Sequence, residues 1–215
     1  MRLNEYCRRS AGIVAATIAR KTTLREWRQL LEKIYQALKG IQEGTGNIDV
    51  AKGYLFVFEK LCEDVQEQLI DTTEELGRPL NMLLPILLQI LHSINEEEMQ
   101  RMSLNCIMQF VEAMPPALSS HLYTYFQTLF RYTNSPNDSI RKAVYDSLVL
   151  LTYSSQSDVV VAHFDSVAER MLEAMHDSEP TVAMSATEFW SIFAQYRNDA
   201  DGGSDIEKLD PFLER

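Results

Sequence analysis

Four histidines, three cysteines, a glycine-containing joint and a run of three glutamates are the residues of this chain best equipped for chemistry. His92, His121, His163 and His176 lie far apart, and none has a cysteine or carboxylate at zinc-ligand spacing. His163 with Asp165 and His176 with Asp177 are simple neighbours on or at the end of a predicted helix. Cys7, Cys62 and Cys106 are an odd set on separate predicted helices, which reads as reduced, packed thiols in a reducing compartment. Gly40, Gly44 and Gly46 crowd a helix-to-helix joint but are not followed by the Lys-Ser/Thr of a phosphate-cradling loop. No GxSxG elbow occurs. Glu96, Glu97 and Glu98 sit at a predicted helix start, where the helix dipole favours negative charge. The expectation is no catalytic residue, no cofactor, no metal site and no enzyme.

The elements that would have to position any site are helices, and they recur. A polar turn, a small residue and an apolar stripe at helical spacing follow one another in Arg8–Lys21, Asn47–Val65, Glu97–Met114, Asn137–Tyr153 and Ser178–Tyr196. The aligned small residues are Ala11, Gly53, Ser103, Ala143 and Ser185, in steps of 42, 50, 40 and 42. A period of this size predicts an all-α array of stacked helical hairpins, an α-solenoid, rather than one closed globule. With A and B naming the first and second helix of a hairpin, 2–21 is a B helix without its A partner. Hairpins are expected at 23–66, 78–114, 118–153 and 158–196, and 205–215 begins a further A helix. The whole of 1–215 then forms a single array. Pro79 suits a first turn, and Pro115-Pro116 ends a helix. The unpaired helix at one end and the begun one at the other predict a piece of a longer solenoid whose exposed stacking faces favour end-to-end association.

Charge narrows the partners. Residues 1–40 carry nine Lys/Arg against three Asp/Glu, and the other 175 carry eleven against twenty-eight. An acidic surface repels phosphates and steers basic partners, and the basic start lacks interleaved aromatics, so nucleic acid is not expected. No apolar run reaches the ~18–20 residues of a membrane span, since Leu80–Leu91 is interrupted by Pro85, and no membrane insertion is expected.

One B-helix stripe, Tyr54, Val57, Phe58 and Leu61 with its counterparts, is apolar. The opposite stripe is mixed and locally acidic: Lys52, Phe56, Glu59, Glu63; Met102, Cys106, Gln109, Ala113; Lys142, Asp146, Val149, Tyr153; Met184, Glu188, Ser191, Gln195. Stacking would align these in rows on one surface, a candidate protein-binding face.

The segment RSAGIVAATIARKTTLREW at Arg9–Trp27 resembles the junction of two repeats in the transportin (karyopherin-β2) family of nuclear import receptors. Further matches are CED at Cys62–Asp64, RPLNMLLP at Arg78–Pro85, the turn into Ile140-Arg141-Lys142, and VAMSATEFW at Val182–Trp190. The resemblance runs through nearly the whole chain in one register. It implies HEAT-type antiparallel hairpins in a superhelix, with B helices on the concave side. It also implies that this chain is an internal piece of the amino-terminal arch, which binds the GTPase Ran in its GTP form. Protein cargo bearing a nuclear localisation signal would bind mainly the carboxy-terminal part, and nucleoporins are further implied partners. The receptor would shuttle between cytoplasm and nucleus. By position on the B helices, the candidate contacts are Lys52, Glu59, Glu63, Gln109, Asp146 and Glu188. The alternative is a HEAT scaffold assembling another complex, as in phosphatase scaffolds.

Overall fold

A computed structural model of the chain describes residues 2–22, 28–70 and 78–199. The expected helix at 205–215 and the first turns of the A helix expected from Thr23 lie outside them. Among the described residues twelve helices run in order: α1 Arg2–Lys21, α2 Arg28–Gln42, α3 Ile48–Asp64, α4 Gln66–Ile70, α5 Pro79–Ser93, α6 Glu97–Met108, α7 Pro116–Ser119, α8 Leu122–Tyr132, α9 Asp138–Tyr153, α10 Asp158–Ala162, α11 Phe164–Ala174 and α12 Pro180–Asp199. No strand occurs among the described residues. The fold is all-α, of the α-solenoid class. The chain forms two compact units, Met1–Thr128 and Leu129–Arg215, with the boundary inside α8.

In the first unit, α2 pairs with α3 and α5 with α6 as hairpins. Equivalent helices also pack on one another, α2 on α5 in the A layer, and α1 on α3 and α3 on α6 in the B layer. Leu55, Phe58, Leu61 and Cys62 of α3 are fully buried between these partners. At ~1.5–3 kcal/mol for each fully buried large apolar side chain, such rows supply most of the force holding neighbouring repeats. α1 and α3 approach through Gly12, where an added Cβ would stand 2.6 Å from the Phe56 ring. In the second unit α9 packs on α12 and on α10, and α11 on α12. Phe189 is buried there edge-on to Trp190, with 5.2 Å between ring centroids.

The joints follow from local chemistry. Asn47 caps α3 by accepting from the amides of Asp49 and Val50 at 2.9 and 3.2 Å, and Asn137 caps α9 by accepting from Ile140. Helix α5 runs through Pro85, which offers no N–H to the carbonyl four residues back.

Elsewhere the helices depart from the expected bounds. The B helix predicted to reach Met114 is regular only to Met108, and 109–113 continue as turns. Met114 precedes a proline, which bars it from helical geometry, and it reverses the chain at φ 40°. The A helix predicted over 118–133 starts at Pro116 and breaks at Ser120-His121. The one predicted over 158–176 breaks at His163, at φ −120° and ψ 26°.

Candidate protein-binding face of the B helices

The mixed stripe divides into buried and exposed parts. On α3, Glu59 is only 3% exposed, while Lys52, Phe56 and Lys60 are half-buried and Glu63 is exposed. On α6 the stripe is buried at Met102 and Cys106, and Gln109, just past the helix, is half-buried. On α9 Asp146 is half-buried and Val149 buried, whereas Met184, Glu188 and Ser191 of α12 are exposed. Side-by-side packing takes both flanks of a B helix, so only a narrow strip of it remains open.

Several of the expected contact residues reach across to the next B helix. One Glu59 carboxylate oxygen accepts from Arg101 at 3.2 Å and from the Asn105 amide at 2.7 Å, both on α6. Lys52 Nζ stands 2.5 Å from Glu96 and 3.3 Å from Glu98 in the segment opening α6. Burial opposes the Lys52 charge, but the hydrogen bonds to those two carboxylates outweigh it and hold the ammonium above the ordinary lysine value. The Gln109 carbonyl accepts from the side chain of Gln66, and Glu63 pairs with Lys60 on its own helix.

In the second unit Asp146 accepts from Ser185 of α12 and from Lys142. Arg141 grips Asp177 with two parallel hydrogen bonds of 2.7 Å, both side chains being mostly buried. Of the six candidates, Glu63 and Glu188 are left with an exposed carboxylate. Lys52, Glu59 and Asp146 join neighbouring repeats.

The Arg141 pair holds the Asp177 carboxyl below its ordinary value of 3.8, against a smaller opposing effect of burial. A depressed folded-state pKa contributes stability that is present above the unfolded value and is lost as pH falls through the folded one. Asp177→Asn is therefore expected to cost about 2 kcal/mol at neutral pH, typical of hydrogen bonds to charged groups. The deficit should shrink below pH 3.8 as wild-type Asp177 protonates, measured by urea unfolding across that range.

Sequence reasoning missed the partners Glu96, Glu98, Arg101, Asn105, Asp177 and Ser185. A signal was available, because these contacts span 36 to 46 residues, about one repeat. The same comparison explains an orphan. Ser103 occupies the place of Ser185, but the residue matching Asp146 in the preceding repeat is Phe56, and the buried Ser103 Oγ has no hydrogen-bond partner. Ser103→Ala should therefore be neutral or stabilising by up to about 1 kcal/mol in thermal melts.

The Nδ1 atoms of His163 and His176 donate to carbonyls of Val159 and Leu172 in their own helical turns, at 3.0 and 3.1 Å. Burial, then the neighbouring Cys62 thiol, pushes the Cys106 thiol well above its ordinary value, which makes it a poor nucleophile. Among the described residues no group of three or more His, Cys, Asp or Glu could hold a metal, and no helix is long and apolar enough to cross a membrane.

Transportin-1 of Mus musculus is 31% identical over 189 residues, 87% of this chain and 20% of that one. Over most of its length, the chain is homologous to the transportins. Transportin of Dictyostelium discoideum is 27% identical across 93% of the chain, and importin subunit beta-2 of Schizosaccharomyces pombe 26% across 94%. The chain spans about a fifth of the length of these relatives, 20 to 22%. No family model matches it. A designed armadillo repeat protein in complex with the peptide (KR)4 superposes with a TM-score of 0.49 at 12% identity, over 80% of this chain and all of that one. The strip that stays exposed runs through Glu63 in the first unit. In the second it runs through Met184, Glu188 and Ser191.

Proposed function

We propose that this chain is part of a nuclear import receptor, in the amino-terminal arch, and contributes to the surface that binds Ran in its GTP form. The observation that carries the reading is similarity to transportins along most of the chain. The acidic balance of residues 41–215 agrees with a scaffold that binds basic partners. Protein cargo would bind mainly outside this chain, nucleoporins would guide passage through the pore, and the receptor would shuttle between cytoplasm and nucleus. Because stacked repeats contact only their neighbours, small rotations at each joint add into a change of pitch. A GTPase with different affinity for two pitches would then shift the receptor between cargo-holding and cargo-releasing forms.

Calorimetric titration with Ran carrying a non-hydrolysable GTP analogue, and with Ran-GDP as control, tests the reading. Binding is expected for the GTP form alone. Glu63→Arg and Glu188→Arg should each weaken it several-fold, with unchanged melting of the free chain. Absence of binding, or equal binding of both forms, overturns the assignment of Ran contacts to this chain.

A further inference from the structure

A single guanidinium ties two turns of the second unit together, and one of those turns presents a serine before a proline. Ser135 lies between Asn134 and Pro136, both exposed, and is itself half-buried. Its hydroxyl oxygen accepts from the Asn137 amide at 3.3 Å, and its carbonyl accepts from Arg141 Nη1 at 2.8 Å. The Nε and Nη2 atoms of the same guanidinium hold Asp177, in the turn before α12. Asp177 stands 42 residues after Ser135, at the matching place of the next repeat. It makes the matching bond too, since its carboxylate accepts from the amide two residues on, that of Glu179, at 2.8 Å. The turn position is therefore neutral at Ser135 and anionic at Asp177, and where it is anionic an arginine pairs with it.

Ser135 is also the one serine or threonine of this chain followed by proline. Pro136 fixes its own φ, lacks an amide N–H and keeps Ser135 extended, a local shape that sets this hydroxyl apart from the others. We propose that Ser135 is the acceptor of a proline-directed serine kinase and that its phosphate draws Arg141 away from Asp177. In that step the γ-phosphoryl group leaves ATP for Ser135 Oγ. The P–O bond to the departing ADP breaks, the Oγ–P bond forms, and the hydroxyl proton passes to the kinase's base. The product carries a charge of roughly −1.5 to −2 near neutral pH and three acceptor oxygens, against a single charge on Asp177. Arg141 Nη1 already touches the Ser135 carbonyl, so the phosphate forms on a residue that the guanidinium holds. Asp177 keeps the Glu179 amide but then faces like charge, and Asp138, close enough to act on Arg141, adds to the repulsion. Lys142 does not offset it, being paired with Asp146. The tie between α9 and the turn before α12 loosens, so one modification alters the stiffness of this joint. The inference stands apart from the reading of Ran contacts.

Incubation of the full chain with ATP and a cyclin-dependent kinase tests this. Mass spectrometry should place a phosphate on Ser135, and Ser135→Ala should take up none. Urea unfolding reads the consequence. Phosphorylation should lower the midpoint of the wild-type chain and raise that of Asp177→Asn, where no carboxylate competes for Arg141. Adding Arg141→Met to Asp177→Asn should abolish the rise. Asp177→Ser, which copies the Ser135 turn, replaces Asp177→Asn should that variant lose its fold. A chain that takes up no phosphate at Ser135, midpoints that shift in the same direction in the wild type and Asp177→Asn, or a rise that survives Arg141→Met would each overturn the proposal.

Discussion

Arg101→Met is expected to destabilise the chain by about 3 kcal/mol, while Glu59→Met, its partner's replacement, costs about 1 kcal/mol or less. The asymmetry comes from where the two side chains live. Glu59 is 4% exposed at its side chain and Arg101 is 31% exposed. Removing Arg101 leaves a carboxylate in the α3–α6 interface that still accepts from the Asn105 amide. Removing one partner of a buried pair typically costs about 3–5 kcal/mol, because the other charge stays behind unpaired. The lower end applies here, since Asn105 still donates at 2.7 Å and Arg101 is partly solvated. Removing Glu59 instead frees an arginine that can turn to water, and an apolar side chain then fills a site lined by α3 and α6. The double variant should sit close to Glu59→Met alone, giving a coupling energy of about 3 kcal/mol in a double-mutant cycle. Urea midpoints with an unchanged slope would read these differences as stability. Equal costs for the two single variants would mean that Glu59 reaches water in solution.

The pair also marks where reading a sequence runs out. The small residues Gly53, Ser103, Ala143 and Ser185 each fall in a B helix, and Asn47 and Asn137 each cap one, because periodicity and capping are local properties of the chain. The candidate face was legible only as a stripe. Helical spacing puts Lys52, Glu59 and Glu63 within one arc of α3, but whether that arc meets solvent depends on how closely the next B helix approaches. That distance is decided by residues some forty positions away, such as Arg101 and Asn105. A stripe of mixed polarity is consistent with a wet surface and with a stapled interface alike. Opposite charges or donor–acceptor pairs offset by one repeat distinguish the two, as Glu59 with Arg101 and Arg141 with Asp177 do. Breaks inside the A helices were hidden for a different reason. The apolar pattern continues across Ser120-His121 and His163, so periodicity reports the face without reporting the kink.

The joint between α2 and α3 holds three glycines in seven residues, a composition that by itself would favour flexibility. Its hydrogen bonds make it a lock. Gly44, at φ 69°, is the left-handed residue that ends α2, with its amide donating to the Ile41 carbonyl and the Thr45 amide to the Gly40 carbonyl. The Gly46 amide donates to the same Gly40 oxygen at 2.8 Å, which draws the two glycines into backbone contact. A Cβ at Gly46 would stand 2.7 Å from the Gly40 carbonyl carbon and 2.8 Å from the Ile41 nitrogen. Those are main-chain atoms of a helix end, and no rotamer change can move them aside. Gly46→Ala must therefore break the cap or shift α3 against α2, at the upper end of the ~1–3 kcal/mol usual for overpacking. Gly44→Ala makes the useful contrast. Nothing lies within 4 Å of its added Cβ, so it bears only the left-handed backbone, about 1 kcal/mol. Thermal melts of the two variants should rank Gly46→Ala well below Gly44→Ala, although the latter is the glycine with the unusual dihedral. The reverse order would mean that the joint relaxes freely, and that α2 and α3 hinge where the hydrogen bonds say they are clamped.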